Sequence, residues 1–142
     1  MTETEAIKKM KQVCSEEIKK SGFLIFFKSD IRFDQTRLLE PWEKTANLWL
    51  PEEIRFDEEG VVIDSNGVIG GIHNIKWNEI IATGIKTKII PREGHDLRLH
   101  SLLVATVNAE IIELKIGKID QYHGLLGHFI EEYKLEYKKN NP

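Results

Sequence analysis

Five basic side chains in one predicted β-hairpin are the residues with the clearest potential for chemistry: Lys86, Lys88, Arg92, Arg98 and His100. Burial requires the two strands to pair apolar with apolar residues, which places Lys88 opposite Arg98 and Lys86 opposite His100. The other pairs of that register are Ile89 with Leu97, Thr87 with Leu99 and Ile85 with Ser101. Like charges directly opposite one another cost stability unless an anion lies between them. We therefore expect a contact for a phosphate, a carboxylate-bearing ligand or an acidic partner; the alternative is a solvated face neutralised by Asp or Glu from elsewhere.

The remaining residues of metal-binding or catalytic type lack the spacing that such sites need. His123 and His128 lie five positions apart, whereas zinc ligands on one helix face lie four apart. Cys14 lies on the apolar stripe of the first predicted helix, where a buried cysteine behaves as a small hydrophobic residue. The sequence contains no G-x-S-x-G nucleophile elbow and no glycine-rich phosphate loop. We therefore expect a non-enzymatic protein with no metal and no cofactor.

Length and charge narrow the class of protein. The chain has 142 residues, enough for one domain with a substantial core. Its net charge of -3 argues against a broad nucleic-acid interface, which needs a basic excess. No apolar run approaches the roughly 18 residues of a membrane span, and Glu3 and Glu5 stand where a signal peptide is positive. Because a single cysteine permits no internal disulfide and fits a reducing cytosol, we expect a cytoplasmic protein.

A helix and a series of short strands are expected to position these residues. Residues 4–20 predict a helix, because apolar side chains recur at helical spacing. Residues 23–27 are an apolar run that forms either a strand buried on both faces or a hydrophobic latch beside that helix, and residues 29–44 show no clean period. With that run as an anchor, the lysines of the helix would allow peripheral membrane contact, but its glutamates favour packing on the sheet. The β-pattern is expected to begin at residue 48, with clear alternation at residues 54–57. Further strands are expected at residues 61–64, 68–76, 80–90, 97–107 and 110–116, with turns or loops at 57–60, 66–67, 91–96 and 108–109.

The last expected element is an amphipathic helix over residues 117–137. Its apolar stripe consists of Ile119, Tyr122, Leu126, Phe129, Ile130, Tyr133 and Tyr137. Gly124, Gly127, His128 and Glu131 fall on the opposite side. Since such a helix must cover an apolar surface, we expect it to close the sheet. All three tryptophans are expected to pack in the core or at its rim.

The order of these elements resembles that of bacterial pleckstrin-homology-like domains. Residues 75–81, IKWNEII, are similar to the I-x-W-x-x-I signature of that family, in which one strand ends at the tryptophan and the next begins at the isoleucine. Residues 59–64 resemble the family's early hairpin, and residues 111–114 with the following helix resemble its last strand and capping helix. Over residues 48–138, the resemblance implies an α+β fold, a bent antiparallel sheet forming a partly open barrel of about six or seven strands with a capping C-terminal helix. Residues 1–47 would add an N-terminal helix and extension packed on the domain of residues 48–142.

The resemblance implies a non-enzymatic binding module whose partner is a protein or a peptide, docked on a sheet edge or on the basic hairpin. Phosphoinositide-binding members of the family carry basic residues around the loop between the first two strands. In this chain that loop is Asp57-Glu58-Glu59-Gly60, which is acidic and would repel a phosphate head group. Two other interpretations stay open. One is a cytosolic immunity-type inhibitor of a toxic effector; the other is a small-ligand or lipid carrier, or an enzyme, with a cavity in the barrel.

Overall fold

The computed structural model describes residues 1–21, 30–36, 54–64, 72–114 and 123–142. Within these ranges the chain forms two helices, α1 (Glu3–Ser21) and α2 (His123–Asn140). The described strands are β1 (Asp30–Gln35), β2 (Ile54–Phe56), β3 (Gly60–Asp64), β4 (Ile72–Lys76), β5 (Ile80–Ile90), β6 (Leu97–Thr106) and β7 (Ile111–Leu114). A short 3₁₀ turn at Trp77–Glu79 links β4 to β5. The chain is therefore an α+β protein with an N-terminal and a C-terminal helix, as its sequence predicts.

α1 begins as its sequence predicts, and its apolar face is buried at Met10 and Cys14 but exposed at Ile18. The side-chain oxygen of Thr2 accepts a hydrogen bond from the backbone N–H of Glu5 at 3.2 Å, which caps the start of the helix. Ala6, Met10 and Cys14 are buried and recur at the spacing that places side chains on one helix face. That face lies on the larger of the two sheets.

The larger sheet contains four antiparallel strands in the order β1-β5-β6-β7. Its edge strand, β1, lies in a segment that the sequence pattern leaves irregular, because only Ile31 and Phe33 are apolar among its six residues. Pairing with β5 along its whole length holds β1 in place. Gly84 of β5 makes room for this strand, since an added Cβ would lie 2.6 Å from the Phe33 ring atom Cζ. Tertiary pairing, not local hydrophobicity, therefore defines this edge.

The smaller sheet contains β2, β3 and β4 in chain order. The turn between β2 and β3 is closed by the Asp57 carboxylate, which accepts the backbone N–H of Glu59 at 3.0 Å and of Gly60 at 2.9 Å. Gly60 is needed here because an added Cβ would overlap the backbone carbonyl of Ile75 on β4. The backbone N–H of Trp77 donates to the Glu59 carbonyl at 2.9 Å, which ties the 3₁₀ turn to the same corner. The predicted turn over residues 57–60 is confirmed.

The two sheets correct the expectation of one bent sheet. The described strands form two antiparallel sheets and not a closed barrel. The reason is the pairing of β5, whose two edges are occupied by β1 and β6. β4 precedes β5 in the chain but finds no free edge on it, so the hydrogen-bond ladder breaks at the 3₁₀ turn.

Two hydrophobic clusters lie on opposite faces of the larger sheet. The first contains Val61, Ile75, Trp77, Ile80, Leu102, Val104 and Ile130, from the two sheets, the 3₁₀ turn and α2. The second contains Ala6, Met10, Cys14, Ile31, Ala82, Leu103 and Ala105, from α1 and the larger sheet. Successive β6 residues alternate between the clusters, as the two faces of a strand require. The larger sheet is therefore the central layer, with α1 on one side and α2 with the smaller sheet on the other.

The buried face of α2 differs from the predicted stripe. Ile130 is fully buried as expected, but Gly127 and Lys134 are buried as well, and Glu131 is half-buried. The assignment of Gly127 and Glu131 to the side opposite the stripe is therefore wrong. Tyr133, a member of the predicted stripe, is exposed instead. The spacing of apolar residues does not predict this buried face of α2, because one of its members is the charged Lys134. Lys134 is buried as one half of an ion pair, with its Nζ 2.6 Å from a Glu131 carboxylate oxygen.

Several predictions concern residues outside the described ranges. They are the strand or latch at residues 23–27, the β-pattern at residues 48–53, the turn at residues 66–67, the strand residues 68–71 and 115–116, the first residues of the last helix at 117–122, and the packing of Trp42 and Trp49. Trp77, the tryptophan that the structure describes, lies in the core as predicted.

Candidate functional site

The β5–β6 hairpin pairs one residue away from the predicted register. The observed pairs are Ile90 with Leu97, Ile89 with Arg98, Lys88 with Leu99, Thr87 with His100 and Lys86 with Ser101. The predicted pairing of Lys88 with Arg98 and of Lys86 with His100 is therefore wrong. The cause lies in β6, which is buried on both faces from residue 101 to residue 106 and so gives no alternation that could fix the register.

This shift divides the predicted basic patch between two faces of the sheet. Lys86 and Lys88 face α1, whereas Arg98 and His100 lie on the opposite face, as strand alternation dictates. Arg92 is exposed in the loop between the strands. The structure therefore does not bring the five predicted residues together on one face, although their role in binding an anion or a partner stays a prediction.

Lys86 is an internal cation rather than a surface contact. It is 2 % exposed, and its Nζ lies 2.6 Å from Glu17 of α1 and 2.5 Å from Glu113 of β7. Burial lowers the pKa of Lys86, but the hydrogen bonds to Glu113 and Glu17 and their charges outweigh that effect, so the pKa is raised above its ordinary value. Lys86 therefore links α1 to the larger sheet.

Cys14 lies near this buried group and is not activated as a nucleophile. Burial raises the pKa of the Cys14 thiol, the Lys86 charge lowers it, and the charges of Glu17 and Glu113 raise it further. The net result is a raised pKa, whereas a catalytic cysteine needs a lowered one. This agrees with its predicted role as a small core residue.

A cleft of about 540 Å³ between the β2–β3 turn and α2 has the most distinctive surface chemistry. We call it the aromatic cleft. Its aromatic floor consists of Phe56, Trp77, Tyr133 and Tyr137, and its acidic rim consists of Asp57, Glu58 and Glu136. Asn140 and Asn141, at the end of α2, complete the lining.

The ring of Tyr133 is stacked on the rings of both Phe56 and Trp77, which are tilted against each other. Tyr133 lies 4.8 Å from Phe56 and 5.6 Å from Trp77 between ring centroids, with interplanar angles of 20° and 15°. Phe56 and Trp77 are 6.0 Å apart at 33°. Trp77 is 2 % exposed, but Tyr133 is 41 % exposed, so the stack runs from the core to the surface.

Local structure fixes each part of this cleft. The indole N–H of Trp77 donates to the backbone carbonyl of Asp57 at 3.0 Å, which locks the ring beside the β2–β3 turn. Tyr133, Glu136 and Tyr137 are three and four positions apart on α2 and therefore lie on one side of the helix. A rigid aromatic surface thus meets two carboxylates from different elements, Glu58 on the turn and Glu136 on the helix.

The rim carries negative charge that no cation of the described residues neutralises. Glu58 and Glu136 are exposed, and neither forms an ion pair with another described residue. Among the described residues that line the cleft, none is lysine, arginine or histidine. The face of an aromatic ring is also electron-rich. Floor and rim therefore favour the same sign of ligand charge, a positive one.

A second cleft, of about 610 Å³, lies between β5, α2 and the start of α1, and we call it the polar cleft. Thr83 donates to a Glu131 carboxylate oxygen at 2.9 Å, and Lys134 donates to the carbonyl of Ile81 at 3.1 Å besides pairing with Glu131. The buried hydroxyl of Thr36 has no hydrogen-bond partner among the described residues. Glu131 and Lys134 therefore neutralise each other at the centre of this cleft, whereas Glu3 and Lys138 in its lining form no ion pair with another described residue.

The sequence pattern predicts the core position of Trp77 but does not reveal the aromatic cleft. Its parts come from residues 56–58, 77 and 133–141, which only the docking of α2 brings together. The detectable signal was the mixture of tyrosine and glutamate on one side of α2, where a purely core-facing stripe would be apolar throughout.

Comparisons of the chain with models of known protein families, with curated proteins and with solved structures each found no match. In the described ranges, no group of three or more histidine, cysteine, aspartate or glutamate side chains is placed to hold a metal ion. Neither described helix is long and apolar enough to cross a membrane. The geometry of the clefts is therefore what bears on function.

Proposed function

We propose that this chain is a non-enzymatic protein- or peptide-binding module with a pleckstrin-homology-like fold, and that a partner docks in the aromatic cleft. The observation that carries the proposal is the exposed ring of Tyr133, stacked on Trp77 and Phe56 between acidic side chains. Rigid aromatic residues at the surface are typical anchors of protein interfaces. Antiparallel sheets packed against a C-terminal helix support the family resemblance at the level of architecture.

The internal charge pairs favour binding over catalysis. Catalysis of this kind requires a free acid, base or nucleophile in a cavity. Here the buried lysines that the structure describes, Lys86 and Lys134, are each held by carboxylates of the same chain. An immunity-type inhibitor of a toxic effector would be one form of the proposed module, with the effector as the partner.

Peptide selection tests the proposal directly. A random peptide library is selected on the immobilised wild-type protein, and the enriched peptides are measured by fluorescence polarisation. We expect binding that falls at least about tenfold in Tyr133→Ala, since exposed aromatic anchors dominate interface energies. The control is Leu135→Ala, which removes a side chain of similar exposure that lines the polar cleft on the same helix.

Circular dichroism and thermal unfolding of both variants separate loss of binding from loss of fold. A library that yields no binding peptide, or peptides that bind both variants as tightly as the wild type, would rule out the aromatic cleft as the docking site. Peptides that lose affinity in Leu135→Ala alone would move the site to the polar cleft.

A further inference from the structure

We propose that the aromatic cleft recognises a positively charged side chain, an arginine or lysine of the partner, held over the Tyr133 ring between Glu58 and Glu136. This inference rests on the proposed binding function and adds the chemistry of the partner. Nothing in the fold class or in the predicted basic hairpin requires it. It follows from the sign of the charge that each part of the cleft favours.

The ring geometry provides the first part of the argument. The planes of Phe56, Trp77 and Tyr133 lie within 33° of one another, so their electron-rich faces point in similar directions. A cation above such a face is attracted by the ring quadrupole, and guanidinium groups also stack on aromatic planes. The exposed ring of Tyr133 is where an incoming cation meets this stack.

The carboxylates provide the second part. Glu58 and Glu136 are exposed, belong to the β2–β3 turn and to α2, and form no ion pair with other described residues. Asp57 adds a third negative charge, although its carboxylate already accepts two backbone N–H groups. A planar guanidinium can donate to two carboxylates at once, which gives directionality beyond simple attraction.

The C-terminal end of α2 provides the third part. The cleft extends along the helix to Asn140 and Asn141, beside the last turn. The carbonyl groups of a helix C-terminus carry partial negative charge and favour cations there. The Asn140 side-chain carbonyl offers a further acceptor on the same side of the cleft.

Other ligand classes fit less well. An anion would be repelled by the three rim carboxylates, and no described lining residue is basic. A purely apolar side chain would remove water from Glu58 and Glu136 without replacing it by a counter-charge, which is unfavourable. Among these ligand classes, only a cation is attracted both by the aromatic rings of the floor and by the carboxylates of the rim.

The test is an NMR titration of ¹⁵N-labelled full-length protein with N-acetyl-arginine methylamide. Its matched control ligand is the citrulline derivative, which has nearly the same shape but no charge. We expect saturable shifts of the Trp77 indole N–H and of the amides at the end of α2 with the arginine derivative. We expect roughly tenfold weaker binding of the citrulline derivative, and weaker arginine binding at high salt.

Variants assign the effect to the cleft. Glu58→Gln with Glu136→Gln should weaken arginine binding about tenfold, because each removes one exposed counter-charge. The matched control, Glu93→Gln with Glu110→Gln, changes net charge equally at exposed positions outside the cleft and should leave binding unchanged. Tyr133→Phe should retain binding, whereas Tyr133→Leu should lose it, since only the former keeps an aromatic face.

Three results would overturn the inference: no shifts in the cleft, equal binding of the citrulline derivative, or equal weakening in both double variants. These outcomes are separable from failure of the binding function itself. If library selection yields Tyr133-dependent peptides that lack a basic residue, the module binds peptides but not through a cation. If it yields no peptides while arginine titrates the cleft, the charge preference stands and the peptide-binding function fails.

Discussion

Lys86 shows how a single side chain can hold two layers of this protein together. It comes from the middle of the central sheet, and its partners Glu17 and Glu113 come from α1 and from the edge strand β7. A buried cation is tolerated only when carboxylates compensate it, and removal of one partner leaves the others unpaired. The pattern Lys86-Thr87-Lys88 suggested a solvated basic face, because sequence alone does not reveal that glutamates from two distant elements converge on one of these lysines.

Lys86→Met should destabilise the protein by about 2–3 kcal/mol, since it leaves two carboxylates at a largely buried site while keeping the volume of the side chain. This value lies at or below the usual range of about 3–5 kcal/mol, because both carboxylates are about one-third exposed and can rehydrate. Urea unfolding measures the change. The control is Lys88→Met, on the same strand face but with no ion pair among the described residues, which should cost less than about 1 kcal/mol.

The stability difference between the wild type and Lys86→Met should also depend on pH. The folded protein raises the pKa of Lys86 above the ordinary value of 10.5, so it stabilises the protonated form. This contribution is fully present below pH 10.5 and is lost as pH rises through the pKa of the folded state. The stability difference between wild type and Lys86→Met should therefore be constant from about pH 8 to 10 and shrink at higher pH. A difference that grows with alkalinity, or that Glu17→Gln with Glu113→Gln does not reduce, would refute the ion-pair explanation.

At the scale of the elements, the spacing of apolar residues predicts those helices, strands and turns whose formation depends on neighbouring residues in the sequence. α1, the turn at residues 57–60 and the strands near residues 80–90 and 97–107 all carry their own hydrophobic pattern and caps. Three features depend on contacts between distant parts of the chain, and the sequence did not predict them. β1 is held by pairing with β5, the register of the β5–β6 hairpin is not encoded in β6 because both of its faces are buried, and α2 turns a lysine inward because a glutamate accompanies it.

A further prediction at the scale of the elements concerns Gly60, where the backbones of β3 and β4 lie very close together. An added Cβ there would overlap the Ile75 carbonyl and lie 2.9 Å from its carbon, so β3 and β4 would have to separate. We expect Gly60→Ala to cost about 3 kcal/mol, at the upper end of overpacking effects, because rigid backbone cannot move aside as a side chain can. Thermal or urea unfolding measures the loss, and the Trp77 indole N–H signal reports on the damaged corner.

Gly94→Ala is the matched control for this substitution. Gly94 has a positive φ of 87° but nothing lies within 4 Å of its added Cβ, so the cost is backbone strain alone. We expect about 1 kcal/mol from that strain, with the aromatic cleft unaffected. Equal effects of the two changes would mean that β3 and β4 are not packed as closely as the structure has them.

At the scale of the whole molecule, both faces of the central sheet are covered, and this explains why the site lies where it does. α1 covers one face, and α2 with the smaller sheet covers the other. The docking of α2 against the Trp77 corner creates the aromatic cleft from residues about 75 positions apart in sequence. The sequence predicts both helices and the corner at residues 57–60, but the angle at which α2 meets that corner depends on packing of the complete core and could not be derived from periodicity.

The same layering predicts that α1 is an integral part of the fold. Ala6 and Met10 are fully buried against Leu103 and Ala105, and Lys86 depends on α1 for one of its two carboxylates. Deletion of residues 1–21 would expose that apolar face and leave Lys86 with half of its counter-charge. We expect the shortened chain to lose cooperative unfolding and NMR dispersion, because the cluster under α1 is one of two that form the core. Addition of a synthetic peptide of residues 1–21 should restore both signals. A shortened chain that stays well dispersed and unfolds with unchanged stability would show that the second cluster is dispensable, and that the rest of the chain folds around α2 and the smaller sheet alone.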